Sequence, residues 1–518
     1  MALKDKVRHH FPEIVLGFFI LAILAWSFYS FFIDLYPQKS NTDMWTHLAV
    51  VNELKQDDYD SINAIFYPYG LRDPRGGSFL AVVALVSKIL NISTINTYLF
   101  FGLINVAFFL VALYLLARQF LKDRIMSVLF PILALLLWGY SRNIMAGMFS
   151  LNEVLWMGPF LHFFVMGTLF MTVVFADRFL SESGFSLKYF CLVLVLGYLT
   201  LNSHILTGLF LFVALFSLGL AEAIKRKKLN RNILLIGFSL IAIFCLNFVW
   251  PLYSTWDFLF PADSPTQVTL RPGGESINGL GDLWAWLKVW MAMGGTAVLG
   301  LIFLLKPSKK LLFFSILLVL NLLILISGIL PMSMKFYWRF FVMVIFACIS
   351  GWLIFIGRNR FRFNMVLITL ILLLGVFYTK DKMDVFADWQ PYTYQQSYYK
   401  EDSVDFGILE DIPRDKVIFA DEMESHILSG LTGHNVVGVR PQHASFAKLP
   451  EQTEGYYDIQ KTYEEPSYIN QVIDKFGVDY ILIKKTAPEK QEHLADYIRQ
   501  NFELWKSNQL LELYLAHY

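Results

Sequence analysis

The 518-residue sequence is poor in cysteine and in charge. Its three cysteines, Cys191, Cys245 and Cys348, all fall in apolar runs, so no disulfide framework and no C-x-x-C metal site is available. Asp, Glu, Lys and Arg make up only 16% of the chain, against about 25% in soluble domains. That shortage excludes a string of soluble domains of ~150 residues, which the length alone would accommodate. Internal repeats and low-complexity tracts are also missing. What fills the chain is apolar: 56% hydrophobic residues, 48 of them Phe, and a mean hydropathy of +0.50.

The net charge of +1 conceals a split. Residues 380–518 hold 24 acidic and 14 basic side chains, a balance of −10, while the remaining 379 residues carry +11. A basic membrane body and an acidic tail are expected. Nothing in this pattern asks for a nucleic-acid partner.

Runs long enough to cross about 30 Å of hydrocarbon occur near 13–33, 97–117, 125–141, 154–176, 187–202, 205–224, 232–251, 284–305, 311–330, 338–356 and 363–379. The first follows Lys4, Lys6 and Arg8 but lacks a small-residue cleavage site, so it reads as an anchor and not as a signal peptide. The stretch 78–92 is short and carries Lys88. Counting it as a crossing would put the later basic clusters on alternating sides. With it left out and the N-terminus in the cytoplasm, Arg118/Lys122/Arg124, Arg178/Lys188, Lys225–Lys228 with Arg231, Lys306/Lys309/Lys310 and Arg358/Arg360/Arg362 all face inward, as the positive-inside rule requires. The expected architecture is an α-helical, multi-pass plasma-membrane protein with about 11 transmembrane helices. Residues 1–380 form this body, including an outer loop at 34–96 with a juxtamembrane helix at 78–92. Residues 381–518 form a small extracytoplasmic α/β domain.

In that tail, short β-rich runs at 416–420, 435–439 and 478–483 alternate with amphipathic stretches at 422–431, 467–476 and 489–501, and a hairpin is expected around Ser507–Asn508. Gly430, Gly433 and Gly477 sit where helices should stop.

Most unusual polar residues fall on the outer face. The loop 34–96 is acidic, and Asp43 and His47 lie four residues apart behind Thr42, a good helix cap. A carboxylate stripped of water at a membrane edge becomes a better base; the plainer reading is an acid favouring a helix start beside an interfacial His. Tyr67-Pro68-Tyr69-Gly70 forces a turn, with the tyrosines also suited to an aromatic belt. Arg72 is divided between phosphate and headgroup contact. Asn152-Glu153 precede a span, where an acid is costly unless solvated or paired. His204 occupies a turn of about two residues between spans. Lys335 and Arg339 are cations on the side that the inside rule depletes. They suit a lipid phosphate at the outer leaflet, or simple snorkelling.

In order and sidedness these parts resemble the GT-C superfamily of integral-membrane glycosyltransferases: a first span, an outer loop opening on an acid (Asp43), a Tyr-Pro-x-Gly-like turn (67–70), a juxtamembrane helix (78–92), a second outer loop with Asn152-Glu153, and a later turn with His204. The resemblance covers roughly residues 13–380. It implies a hexosyl- or pentosyltransferase that uses a polyprenyl-phosphate-linked sugar and transfers it with inversion to an acceptor hydroxyl on a glycan, lipid or protein in the cell envelope. Asp43 would take the acceptor proton. Lys335 and Arg339, with His204 as a further candidate, would neutralise the leaving phosphate. His47, Tyr67, Arg72, Asn152 and Glu153 would bind substrate. The tail carries no WWDYG-like motif, a departure from the oligosaccharyltransferase branch. A clear paired-acid D-x-D is not read in either outer loop, so metal dependence stays open: no cofactor is certain and a divalent cation is admitted.

Two other readings compete. A transporter or flippase for lipid-linked glycans also needs an anion-binding cavity, but repeat halves and a Gly/Pro-interrupted helix pair are missing. A non-enzymatic envelope scaffold would leave the named polar residues scattered.

Overall fold

A computed structural model of the chain describes residues 3–33, 42–55, 77–137, 149, 151, 154, 157–252, 312–327, 346–351, 353–354, 406–439, 449–486 and 489–516. The described residues divide into two compact units. One draws on Met1–Tyr36, Phe100–Asn247 and Thr269–Gln390; the other on Pro37–Leu99, Phe248–Val268 and Pro391–Tyr518.

The first unit is helical. Helix α1 spans Leu3–Phe28 and runs on as a π-helical turn to Ile33. For chain order, α2 is Thr42–Lys55 and α3 is Ser78–Leu90, both in the second unit. Then come α4 (Thr94–Leu121), α5 (Arg124–Leu137), α6 (Leu161–Ser181), α7 (Leu187–Ser203), α8 (Ile205–Arg226), α9 (Arg231–Asn247) and α10 (Leu312–Ser327). Among the described residues, four helices are long and apolar enough to cross a membrane: α1, α4, α6 and α8. Helices α5, α7, α9 and α10 are apolar and shorter. The expected runs 284–305 and 363–379 lie outside the described residues, as does most of 338–356. The run expected at 154–176 begins its regular helix later, at Leu161. Gly158-Pro159 precedes it: proline disfavours helical geometry at Gly158 and has no N–H to give, and Phe160 takes an extended conformation as the cap.

The charged connections gather at one end of this bundle. Arg124 lies 2.9 Å from Glu13 of α1, and Gln119 donates to Asp177 at 2.5 Å. Arg226 donates to the Leu180 carbonyl at 2.8 Å, and Asn232 to that of Phe179 at 3.1 Å. The start of α1 and the α4/α5, α6/α7 and α8/α9 connections therefore share one end, as the grouping of basic clusters expects. The phenylalanines do the inner packing. Phe109 meets Phe163 edge-on at 5.1 Å, and Phe346 stands between Phe170 and Phe130 at 5.0 and 5.3 Å. Polar pairs join helices inside the bundle: Thr200 to Thr168 at 2.8 Å and Asn202 to Asn247 at 2.9 Å.

In the second unit, α3 is 13 residues long, about 20 Å at 1.5 Å per residue, too short for a crossing. One face is buried (Phe79, Leu80, Val83, Ala84) and the other exposes Val82, Leu85, Ile89 and Leu90. The helix is thus two-sided, with an apolar exposed face. The tail folds around a five-stranded sheet. Strand β1 is Val417–Phe419, β2 Asn435–Val436, β3 Tyr480–Lys484, β4 Leu504–Ser507 and β5 Leu511–Leu515, in the order β2-β1-β3-β5-β4. Strand β1 runs parallel to β2 and β3, with Ile418 opposite Val436 and Tyr480; β5 is antiparallel to β3 and β4, with Leu482 opposite Leu513. Helices α11 (Glu422–Thr432), α12 (Leu449–Glu464), α13 (Ile469–Phe476) and α14 (Glu492–Asn501) complete it. The core joins Val417, Phe419, Ile459, Ile473, Ile481 and Ile498. The strands, three of these helices and the hairpin match expectation. Helix α12 does not appear in the sequence reading, since its apolar surface is carried by tyrosines and it holds a central Gly455.

Helices α7 and α8 touch so closely at Gly208 that an added Cβ would meet the Leu201 Cα at 2.6 Å. Gly208→Ala is expected to cost about 1–3 kcal/mol through overpacking, read as a lowered thermal midpoint. At Gly237 on α9 nothing lies within 4 Å, so Gly237→Ala should leave the midpoint unchanged or raise it.

Candidate active site

Helix α2 brings Asp43 and His47 onto one helix as the spacing requires. The Asp43 side chain lies outside the described residues. His47 is buried, and its Nδ1 stands 2.8 Å from the Tyr98 hydroxyl of α4. From Met44 to Leu54 every residue of α2 is buried, including the polar Thr46, His47, Asn52 and Glu53. A short helix enclosed on all sides is held by its surroundings, not by its own propensity.

What encloses it includes the tail. Helix α11 packs along α2, and at Gly430 an added Cβ would lie 2.8 Å from the Trp45 carbonyl oxygen and 3.0 Å from its Cα. Asn52 donates to the Gly430 carbonyl at 2.7 Å and accepts from the Thr94 hydroxyl at 2.6 Å. One amide thus ties together α2, α11 and the start of α4, where Thr94–Leu99 belong to the second unit. Gly433, with φ of +75°, ends α11 beside Asn52. Lys55 donates to Thr94 at 3.4 Å; burial pushes its ammonium below the usual lysine range, helped by the nearby Arg414. Gly430 was expected to stop a helix. It lies inside α11 instead, and its missing side chain serves the approach to Trp45.

His204 caps α8. Its Nδ1 accepts from the Thr207 N–H at 3.2 Å and lies 2.9 Å from the Thr207 hydroxyl. Tyr67, Arg72, Asn152, Glu153, Lys335 and Arg339 lie outside the described residues. So does Asp58-Tyr59-Asp60, a D-x-D spacing that the loop 34–96 does contain, against the expectation of none there. Among the described residues, no group of three metal-ligating side chains comes together.

Within the tail, Asp421, Glu424 and Lys484 line a cavity of about 20 Å³ at the carboxyl ends of β1 and β3, room for a water and not for a sugar. The buried Glu424 carboxylate pairs with Lys484. Burial nonetheless raises the Glu424 pKa above the ordinary glutamate range, and the ammonium only partly offsets it.

The fold of the chain is similar to that of solved structures of the archaeal oligosaccharyltransferase AglB from Archaeoglobus fulgidus. The apo form aligns with a TM-score of 0.55 and 12% identity over 92% of this chain and 70% of that one. The complex with an inhibitory peptide and a dolichol-phosphate aligns at 0.51 and 12% identity, covering 92% and 69%. The form tethered to an acceptor peptide with the NVT sequon aligns at 0.52 and 11%, covering 93% and 70%. No family model and no curated relative matches the sequence.

Two outcomes follow. Removing the cap with His204→Ala should lower stability by about 1 kcal/mol, and His204→Asn, which can still cap, should restore it, measured by thermal unfolding in detergent. For Glu424, the folded state keeps its proton to higher pH than the unfolded chain does. Its contribution to stability is therefore full below the ordinary glutamate value and lost as pH rises through the raised one. A pH series of thermal midpoints should show that decline, and Glu424→Gln should flatten it.

Proposed function

We propose that the protein is a membrane glycosyltransferase that takes a sugar from a polyprenyl-phosphate donor and transfers it, with inversion, to an acceptor hydroxyl on the extracytoplasmic face. The carrying observation is the enclosure of α2: the helix that opens the outer loop and bears Asp43 is buried between α3 and the tail, inside a chain whose fold is similar to that of AglB. A rigidly held helix start is where a catalytic base needs to be, because proton transfer depends on placement before it depends on pKa.

In this mechanism Asp43 removes the acceptor proton as the acceptor oxygen attacks the anomeric carbon. The bond to the phosphate oxygen breaks on the opposite side, which inverts the centre. Lys335 and Arg339 offset the charge that builds on the leaving phosphate. His47, Tyr67, Arg72, Asn152 and Glu153 orient sugar and acceptor. His204, which caps α8 through Nδ1, is a further candidate for contact with the leaving phosphate. The donor class is supported by the dolichol-phosphate held by the AglB neighbour. That neighbour also holds peptides, which makes a peptide amide the competing acceptor. The tail here lacks a WWDYG-like motif, and this favours the hydroxyl.

Purified protein incubated with radiolabelled polyprenyl-phosphate sugars should release label to an acceptor. Asp43→Asn should reduce turnover by about 100-fold or more, with insertion and thermal midpoint unchanged. Wild-type turnover in the Asp43→Asn variant would remove Asp43 from the base role.

A further inference from the structure

We infer that the tail is a positioning element of the site, acting through a clamp made of Gly430, Asn52 and Thr94 that fixes the placement of α2. The inference rests on the functional reading above, because it concerns where Asp43 is held.

The clamp has two parts. The first is steric. At Gly430 the backbones of α11 and α2 are close enough that a Cβ would fall 2.8, 3.0 and 3.2 Å from the O, Cα and C atoms of Trp45. These are main-chain atoms, which cannot swing aside as the end of a side chain can. Any side chain at 430 must therefore push the two helices apart. The second is polar and directional. Asn52 uses its amide N–H on the Gly430 carbonyl at 2.7 Å and its amide oxygen on the Thr94 hydroxyl at 2.6 Å. Both bonds are buried, where a lost partner is costly. Gly430 lies in the last turn of α11, where carbonyls have no intrahelical N–H to accept from, so Asn52 supplies the missing partner and fixes α2 to the end of α11 directly. Sliding α2 by one residue would carry Asn52 away from this carbonyl. The clamp therefore sets both the distance and the register of α2.

Asp43 sits nine residues before Asn52 on the same helix, about 13–14 Å along the axis at 1.5 Å per residue. A helix transmits a shift at one end to the other. Misplacement of a catalytic group by about 1 Å can cost on the order of 100-fold in rate. Gly430, Asn52 and Thr94 are positioning residues in this scheme; none is assigned contact with substrate.

The test uses the full chain in lipid nanodiscs and three variants. Gly430→Ala adds the obstructing Cβ, Thr94→Val removes the hydroxyl at nearly constant shape, and Thr94→Ser keeps it. Leu431→Ala, on the exposed side of α11, serves as the control. Transfer from radiolabelled polyprenyl-phosphate sugars is measured together with hydrogen exchange. Gly430→Ala and Thr94→Val should lower kcat by roughly tenfold to 100-fold with the donor KM unchanged. Exchange across 44–54 should rise while 417–419 and 480–484 stay protected. Thr94→Ser should recover what Thr94→Val loses. Normal kcat in Gly430→Ala overturns the positioning role and leaves the glycosyltransferase reading intact. Unchanged exchange across 44–54 overturns the clamp itself. A wild-type chain inert toward every donor overturns the functional reading, and the positioning role with it.

Discussion

A side chain can be accommodated almost anywhere on a helix surface, but two helix backbones can meet only where one of them has no Cβ. The contact of Gly430 with Trp45 is of that kind, and the second unit depends on it. Helix α2 has 14 residues, too few for stability on its own in water, and it carries Thr, His, Asn and Glu among its buried positions. Such a helix persists because α3 and α11 remove it from solvent and because its polar groups find specific partners. Asn52 and His47 show those partners, on Gly430, Thr94 and Tyr98. Loop and tail, distant in sequence, are consequently parts of one folded unit.

The bundle follows a different logic. Its interior is made of aromatic packing and a few hydrogen bonds between helices, while among the described residues Glu13, Asp177 and Glu222 meet Arg and Gln side chains at one end. Segregating charge in this way is what an apolar solvent demands: ions withdraw to the rim, and hydroxyl or amide pairs that remain inside must satisfy each other. The turn at Ser203–His204 uses a side chain to cap α8 within a connection of minimal length.

Some of this was legible in the sequence because the governing signals are local. Among the described residues, the basic clusters of the α4/α5, α6/α7 and α8/α9 connections share one end as their grouping expects. The short apolar run at 78–92 marked a helix too short to cross, and α3 has 13 residues; alternating patterns located β1, β3 and the terminal hairpin. Gly477, with φ of +60° after α13, stops its helix as expected. Other features were hidden because they are created by tertiary contact. Gly430 has the same local look as a terminator, and only Trp45, 385 positions away, reveals its purpose. Asn52 reads as an ordinary helix polar residue until its two partners are known. Helix α12 lacks an aliphatic stripe, so its burial through Ile459 and tyrosines could not be read from periodicity. Of the site, Asp43 and His47 were placed on one helix by spacing alone; the clamp behind them was not visible.

The adjacency of α2 and α11 is open to a direct check in intact membranes. A Cβ at 433 would stand 3.3 Å from the Asn52 Cβ, near the ~3.5–4.5 Å separation that a disulfide spans. The double variant Asn52→Cys, Gly433→Cys should cross-link on mild oxidation, joining a loop peptide to a tail peptide after proteolysis, with neither single variant doing so. Two thiols that stay reduced and are alkylated separately in the folded protein would contradict the account.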